Sequence, residues 1–351
     1  MNDVLELLNR IKSGIATWED YSQFLILKEE HLAPFFDYAQ EITRNSFGNA
    51  IKIYNPSNKF PAISITGNEC ALQCEHCNKK YLDGMKHLMT NEDLEKFLMN
   101  LSENGGVGAL ISGGSEADGS VPLINFLGTI KKIKNQTNLI INTHTGLLNE
   151  ETAKKLADAN VDIVSFDINM DEKVLRDIYH LDKKLYEYEK AVNLLKKYNL
   201  NIVPHMCIGL YYGKLHKELD SIKFIKESGM NPSLIVLIAL IPPKNSSEKF
   251  ERPDPVDIAK VIAAIRFNFA NTEISLGCMR PRGNIKVEVE KKAIQAGITR
   301  IEIPSPQTLN WLKKINPNIK FKFYSACCAI PEKFENLAKS DHSEIKRYQN
   351  I

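Results

Sequence analysis

Eight short apolar runs, beginning near Ala62, Gly108, Asn138, Asp162, Asn201, Ser233, Thr272 and Thr299, punctuate the chain from Phe60 onward. Amphipathic helical patterns lie between them, Asn91 to Ser102, Asn149 to Ala159 and Leu185 to Lys197 among others. A strand-length run followed by a helix-length run, repeated, leaves few architectures, because each helical crossover returns the chain parallel to its previous strand. The expected fold is α/β, a TIM-type (βα)8 barrel, complete or partial; a doubly wound open sheet uses the same alternation. Thr90, with Asp93 three positions on, reads as a helix N-cap, and Gly229 and Gly297 stand where helix C-caps belong.

Ahead of the alternation, Val4, Leu7, Leu8 and Ile11 recur at helical spacing, followed by Tyr21, Phe24, Leu25 and Leu27 and a third run from Leu32 to Ile42. The expected organisation is an N-terminal helical extension over 1–55, the barrel over 56–305 and a less regular C-terminal segment over 306–351. With 45 basic and 43 acidic residues the net charge is +2, so no global field draws the chain to nucleic acid or to an anionic membrane, and neither is expected as a partner. Lys131, Lys132 and Lys134 read as a solvated helix face. No stretch approaches the ~18 to 20 apolar residues of a membrane span, and Met1 to Ile11 carries acidic residues where a signal peptide is basic and then apolar. A cytoplasmic location is the expectation. Seven cysteines, three of them within eight residues, suit metal ligation better than a secreted disulfide framework.

Those three are Cys70, Cys74 and Cys77, a C-x3-C-x2-C loop directly after the run Ala62 to Thr66. It therefore sits at the C-terminal edge of the first barrel strand, the edge where barrel active sites lie. A cubane takes four ligands, so three thiolates leave one iron open, whereas structural zinc takes a fourth donor in the same knuckle. His76 is the residue that could supply it. Gly113, Gly114, Ser115 and Glu116 follow the second strand, where glycine lets backbone approach a ligand closely.

Strand parity separates the remaining candidates. His205, Cys207 and Gly209 share one face of their strand; Ser165, Asp167 and Asn169 share one face of theirs; Asn142 and His144 are segregated in the same way. The bland alternative for each is a satisfied core polar residue or a solvated strand end. Cys278 precedes Arg280 by two, so on an extended strand both would point into the barrel, although Arg280 and Arg282 read equally well as a solvated pair flanking Pro281. Cys207, Cys278, Cys327 and Cys328, in an otherwise Cys-poor remainder, suggest a second metal site, with inert packing as the alternative.

The Cys70–Cys74–Cys77 spacing on this strand resembles the radical S-adenosylmethionine superfamily, and about residues 60 to 305, with the N-terminal helices, are similar to its biotin synthase branch. The resemblance implies a 4Fe-4S cluster on the three cysteines and S-adenosylmethionine chelating the open iron. It also implies a 5'-deoxyadenosyl radical that removes hydrogen from an unactivated carbon. It places Gly113 to Glu116 at the cofactor's amino group, Asp167 and Asn169 at its ribose or the substrate, and Pro242 beside the adenine. Cys207 matches a ligand of the sacrificial cluster in biotin synthases, but Asn142 and the Ile111-Ser112 region stand where cysteines are expected there.

These departures make the chain look like a subunit of the archaeal-type two-protein lipoyl synthase, with a second 4Fe-4S or other iron-sulfur cluster. Its replacement ligands would come from Cys278 to Gly283 and Tyr324 to Cys328, and adjacent cysteines on an extended chain face opposite ways, so only one of Cys327 and Cys328 would bind unless the chain turns there. Arg280 would support that cluster or the cofactor carboxylate. The implied reaction is sulfur insertion into a protein-bound octanoyl or mercapto-octanoyl chain, with a low-potential ferredoxin or flavodoxin as donor and a second radical protein as partner. A single-cluster enzyme that rearranges or cleaves carbon bonds, biotin synthase itself, and a non-catalytic iron-sulfur scaffold are the alternatives.

Overall fold

The computed structural model describes residues 2–244, 249–340 and 345–348. Three helices open the chain, α1 (Asn2–Lys12), α2 (Trp18–Leu25) and α3 (Ala33–Phe47), as the periodicity predicts. Their aromatic face packs on a later helix of the outer layer: Phe24 meets Phe35 and Phe267 at ring-centroid distances of 5.0 and 5.5 Å, and Tyr38 stacks on Phe267 at 5.7 Å.

The strands are β1 (Ala50–Tyr54), β2 (Ala62–Ser64), β3 (Lys86–His87), β4 (Gly108–Ser112), β5 (Ile140–His144) and β6 (Ile163–Asp167), followed by β7 (Ile202–Ile208), β8 (Leu234–Ala239), β9 (Glu273–Leu276), β10 (Arg300–Glu302), β11 (Lys320–Tyr324) and β12 (Lys339–Ser340). They form one curled sheet in the order β12-β11-β1-β10-β9-β8-β7-β6-β5-β4-β2-β3, parallel throughout except for the β11–β12 pair. All eight expected strands are present, and the half-barrel they build is the partial form of the expected architecture.

Two central strands depart from the expectation. β1 follows directly on the helical preface and inserts between β10 and β11, with Lys52 opposite Arg300 on one side and Lys322 on the other. β11 falls in the tail read as less regular. In β1 the inward-facing Lys52 and Tyr54, and in β11 the exposed Lys320 and Lys322, interrupt the apolar run, so hydrophobicity alone does not mark them as sheet.

The interior is layered. One cluster brings Ile140, Ile163, Val203 and Leu234 together with Tyr54, Phe60 and Tyr324, and with Ala326, Cys328, Ala329 and Ile330 of the C-terminal segment. The tail therefore fills the barrel rather than trailing from it. It is fixed by a buried ionic network: Lys52 Nζ lies 2.8 Å from both Glu273 and Glu335, Arg300 pairs with both of those carboxylates, and the Tyr54 hydroxyl donates to Glu335 across 2.7 Å. Glu335 opens the short helix Glu335–Ala338.

Helix ends follow the residue chemistry. The Thr90 hydroxyl accepts from the Asp93 amide, and Gly229 and Gly297 take the left-handed conformation at φ 69° and 99° just past their helices. Among the described residues no helix is long and apolar enough to cross a membrane.

Candidate active site

The loop after β2 is held by its own polar groups. The Ser64 hydroxyl donates to the Gly67 carbonyl at 2.7 Å, and the Thr66 hydroxyl donates to the Glu69 carbonyl at 2.9 Å while accepting the Gly114 amide at 2.7 Å. Residue 67 stands at φ 59°, which glycine adopts without a Cβ penalty. The turn after β4 then closes on the first cysteine. The Ser115 amide donates to Cys70 Sγ at 3.3 Å, and the Ala71 amide donates to the Ser115 carbonyl at 2.7 Å. A Cβ on Gly114 would meet the Glu69 carbonyl at 2.0 Å and the Cys70 Cβ at 2.5 Å, so only glycine fits this approach.

The other end of the loop docks on a π-helical turn, Val174–Ile178. The Glu75 amide donates to the Ile178 carbonyl at 2.8 Å, and the Cys74 thiol points at the Tyr179 carbonyl at 3.7 Å. π-turns of this kind are frequent at functional sites. Cys70, Cys74 and Cys77 all line one cavity of about 310 Å³, together with Gly113, Gly114, Ser115, Phe166, Asp167 and Tyr179. Without metal, burial pushes the Cys74 thiol up to about 12, with Cys77 and Cys70 adding to it. A metal cation would reverse that penalty. His76 packs against Tyr179 with centroids 5.5 Å apart, and burial lowers it to about 4.

The barrel mouth behind this cavity is polar, as strand parity predicts. His144 Nδ1 lies 3.6 Å from an Asp167 carboxylate oxygen, and the His144 and His205 rings meet edge to face at 5.0 Å. Partial desolvation in the cavity works to raise Asp167, whose side chain is 61% exposed, but the neighbouring imidazoles of His144, His205 and His76 outweigh it and take the carboxyl below its ordinary value. Burial takes His205 down to about 4, so it is neutral at pH 7. Deeper in the barrel, the Ser165 hydroxyl donates to Asn142 Oδ1 at 2.9 Å, and Asn142 Nδ2 is buried without a partner. Asn169 Nδ2 is likewise unpartnered, facing a small adjoining cavity of about 30 Å³ that Asp167, His205 and Cys207 also line.

Three of the residues singled out stand apart from the cavity lining. Glu116 is exposed and accepts from the Ser120 hydroxyl in its own turn. Pro242 does not line either of these cavities. Arg280 is neither solvated nor a barrel-lining strand residue, since β9 ends at Leu276; its buried guanidinium pairs with Glu290 at 2.5 Å and donates to the carbonyls of Gly277, Glu302 and Ile303.

The remaining cysteines divide. Cys207 faces Asp167 and Glu218 across the barrel mouth, and its thiol is raised chiefly by burial. Cys327 and Cys328 gather instead at Glu302, at the end of β10, a residue that counting cysteines could not find, while Cys278 is exposed on the loop after β9. The chain does turn at Cys328, with the Ile330 amide donating to the Cys327 carbonyl at 3.2 Å, and both adjacent thiols reach the same carboxylate.

Residues 64–225 match the family model described as Radical SAM superfamily. The chain is 26% identical over 285 residues to a biotin synthase of Buchnera aphidicola subsp. Schizaphis graminum, covering 76% of this chain and 78% of that protein. It superposes on the FeFe-hydrogenase maturase HydG from Carboxydothermus hydrogenoformans with a TM-score of 0.67 at 15% identity, covering 95% of this chain and 82% of that one. For methylornithine synthase PylB the TM-score is 0.61 at 16% identity, with 86% of each chain covered. At these identities the two structures speak for the fold alone.

Proposed function

We propose, with the Radical SAM superfamily match of residues 64–225 as premise, that this chain is a radical S-adenosylmethionine enzyme that inserts sulfur into an unactivated C–H bond of a protein-bound octanoyl chain. The observation that carries the radical chemistry is the contact of the Ser115 amide with Cys70 Sγ, which binds the glycine turn to the three-thiol loop. The residues present fit the implied group: three thiols on one cavity wall, a backbone cradle that a Cβ at Gly114 would fill, and an unpartnered Asn169 amide on the adjoining cavity that Asp167 also lines.

Cys70, Cys74 and Cys77 would hold three irons of a 4Fe-4S cluster, and Gly113 to Ser115 would receive the amino acid end of S-adenosylmethionine. When bound, this pair supplies one-electron cleavage of the sulfonium bond and a 5'-deoxyadenosyl radical. Asp167, kept ionised by His144, accepts hydrogen bonds from ribose hydroxyls, and Asn169 donates its free amide beside it. Phe166, Tyr179, Leu181 and Tyr188 are among the apolar residues of the wall, which would exclude water from a reactive carbon.

Sulfur insertion rests on the thiols of Cys278, Cys327 and Cys328 at the same C-terminal end of the sheet, which would hold a second iron-sulfur cluster, and on the similarity to a biotin synthase. The octanoyl or mercapto-octanoyl arm of a carrier protein is the substrate in this reading, a ferredoxin or flavodoxin the donor, and a second radical protein the partner for the other sulfur. Anaerobic reconstitution to about eight irons per chain, followed by weighing octanoylated peptide for added sulfur, tests it. A second reading, a single-cluster enzyme acting on a small polar substrate, is favoured by the His144–Asp167–His205 constellation; it requires about four irons per chain and no sulfur in the product.

A further inference from the structure

We propose that Glu302 is a metal ligand, its carboxylate joining the thiols of Cys278, Cys327 and Cys328 in one four-donor iron site at the C-terminal ends of β9, β10 and β11; the proposal rests on the second-cluster reading above. Among the described residues, the potential donors that gather within 4.8 Å of one another are those of Glu302, Cys327 and Cys328. The Cys327 thiol lies 4.0 Å from a Glu302 oxygen, which also accepts the Cys328 amide at 3.2 Å. Cys278, exposed on the loop after β9, lies outside that compact group and would close on it as the fourth donor.

A buried carboxylate is costly without a counter-charge, by several kcal/mol. Glu302 is only 4% exposed and has no ion-pair partner among the described residues. The two nearby arginines are engaged elsewhere, Arg280 with Glu290 and Arg300 with Glu273 and Glu335. What gathers at the carboxylate is the thiols of Cys327 and Cys328, with Cys278 on the open side. A cation among four such donors would compensate all of them at once, since thiolate and carboxylate are both iron ligands.

The backbone is arranged to aim this side chain. Ile303, the next residue, stands at φ 45°, a strained conformation for a β-branched residue. Arg280 holds the carbonyls of Glu302 and Ile303 at 2.9 and 3.2 Å, and Lys286 Nζ holds that of Ile303 at 2.9 Å. Arg280 is therefore a positioning residue for Glu302.

The test uses the full chain with Cys70, Cys74 and Cys77 changed to Ala, which isolates the second site, loaded anaerobically with iron and sulfide. Iron, sulfide and the Mössbauer spectrum are measured with and without E302Q and E302C. The expected result is bound iron in the parent, loss to chelator at least about ten-fold faster in E302Q, and retention with an altered spectrum in E302C. In metal-free protein, E302Q is expected to raise the urea midpoint, because it removes a buried charge that lacks a partner. Iron content, chelator half-time and spectrum all unchanged in E302Q overturn the proposal. No iron bound by the parent overturns both this and the second-cluster reading. One ion without sulfide, lost in E302Q, keeps Glu302 as a ligand and removes the sulfur-insertion reading alone. Should the triple variant not fold, E302Q in the otherwise wild-type chain is read by its iron count, about four of about eight being lost if Glu302 is a ligand and none if it is not.

Discussion

The Ser115 amide donates to Cys70 Sγ across 3.3 Å, so the turn after β4 and the three-thiol loop after β2 form one unit. The backbone of Gly114 lies against Glu69 and Cys70 too closely for any side chain. Gly114→Ala is expected to force the two loops apart, with strain of about 1–3 kcal/mol. The measurements are iron per chain after reconstitution and 5'-deoxyadenosine formed. Both should fall at least ten-fold while circular dichroism stays that of the parent.

Asp167 opens onto the cavity with its side chain 61% exposed, beside His144. Asp167→Asn keeps the size and removes the charge-assisted acceptor. Its loss should weaken S-adenosylmethionine binding by about ten-fold or more, at ~1.5–3 kcal/mol for a hydrogen bond to a charged group. Iron content should be unchanged. Equilibrium binding of the cofactor to reconstituted protein reads this directly.

Glu335 ties the C-terminal segment to Lys52, Tyr54 and Arg300 inside the barrel. Glu335→Ala leaves buried cations short of a partner and should cost about 3–5 kcal/mol, seen as a lower urea midpoint. Because Cys327 and Cys328 ride on the same segment, iron beyond the first four per chain should be lost with it.

Arg280 and Glu290 are 2% and 0% exposed and lie 2.5 Å apart. Arg280→Met leaves the Glu290 carboxylate with only Lys286, 3.7 Å away, as a counter-charge and should cost up to about 3 kcal/mol, whereas Arg280→Met with Glu290→Gln should recover a large part of that loss. A urea double-mutant cycle measures the recovery. Additive losses would contradict the pairing.

His205 is neutral in the fold, its pKa taken down to about 4 by burial and by His144. Between pH 6.5 and 4 the unfolded chain binds a proton that the folded chain refuses. Stability therefore declines as pH falls through that window, with a slope of up to ~1.4 kcal/mol per pH unit from this group, and gains nothing above it. His205→Asn should flatten the urea-midpoint profile of the metal-free protein between pH 4 and 6.5 and leave it unchanged above pH 7.

Much of this was legible in the residues. The eight strands were visible because each is an apolar run bounded by turn residues, and parity placed Asn142, His144, Ser165, Asp167, His205 and Cys207 on interior faces. β1 and β11 are not legible, because Lys52 and Tyr54 face a buried ionic network whose partners come from distant segments, and the lysines of β11 are exposed. Arg280 was misread because two-residue spacing implies a shared face only while a strand lasts, and β9 ends before Cys278. Glu302 was missed for a different reason: a lone carboxylate at a strand end carries no local signal, and only the folded tail brings the thiols to it.

The central claim is tested most directly by incubating the anaerobically reconstituted, reduced protein with S-adenosylmethionine and measuring 5'-deoxyadenosine. The account predicts its formation, and its disappearance in Cys74→Ala. No 5'-deoxyadenosine from protein carrying an intact 4Fe-4S cluster, or tetrahedral zinc on Cys70, Cys74 and Cys77 in oxygen-free material, would contradict it.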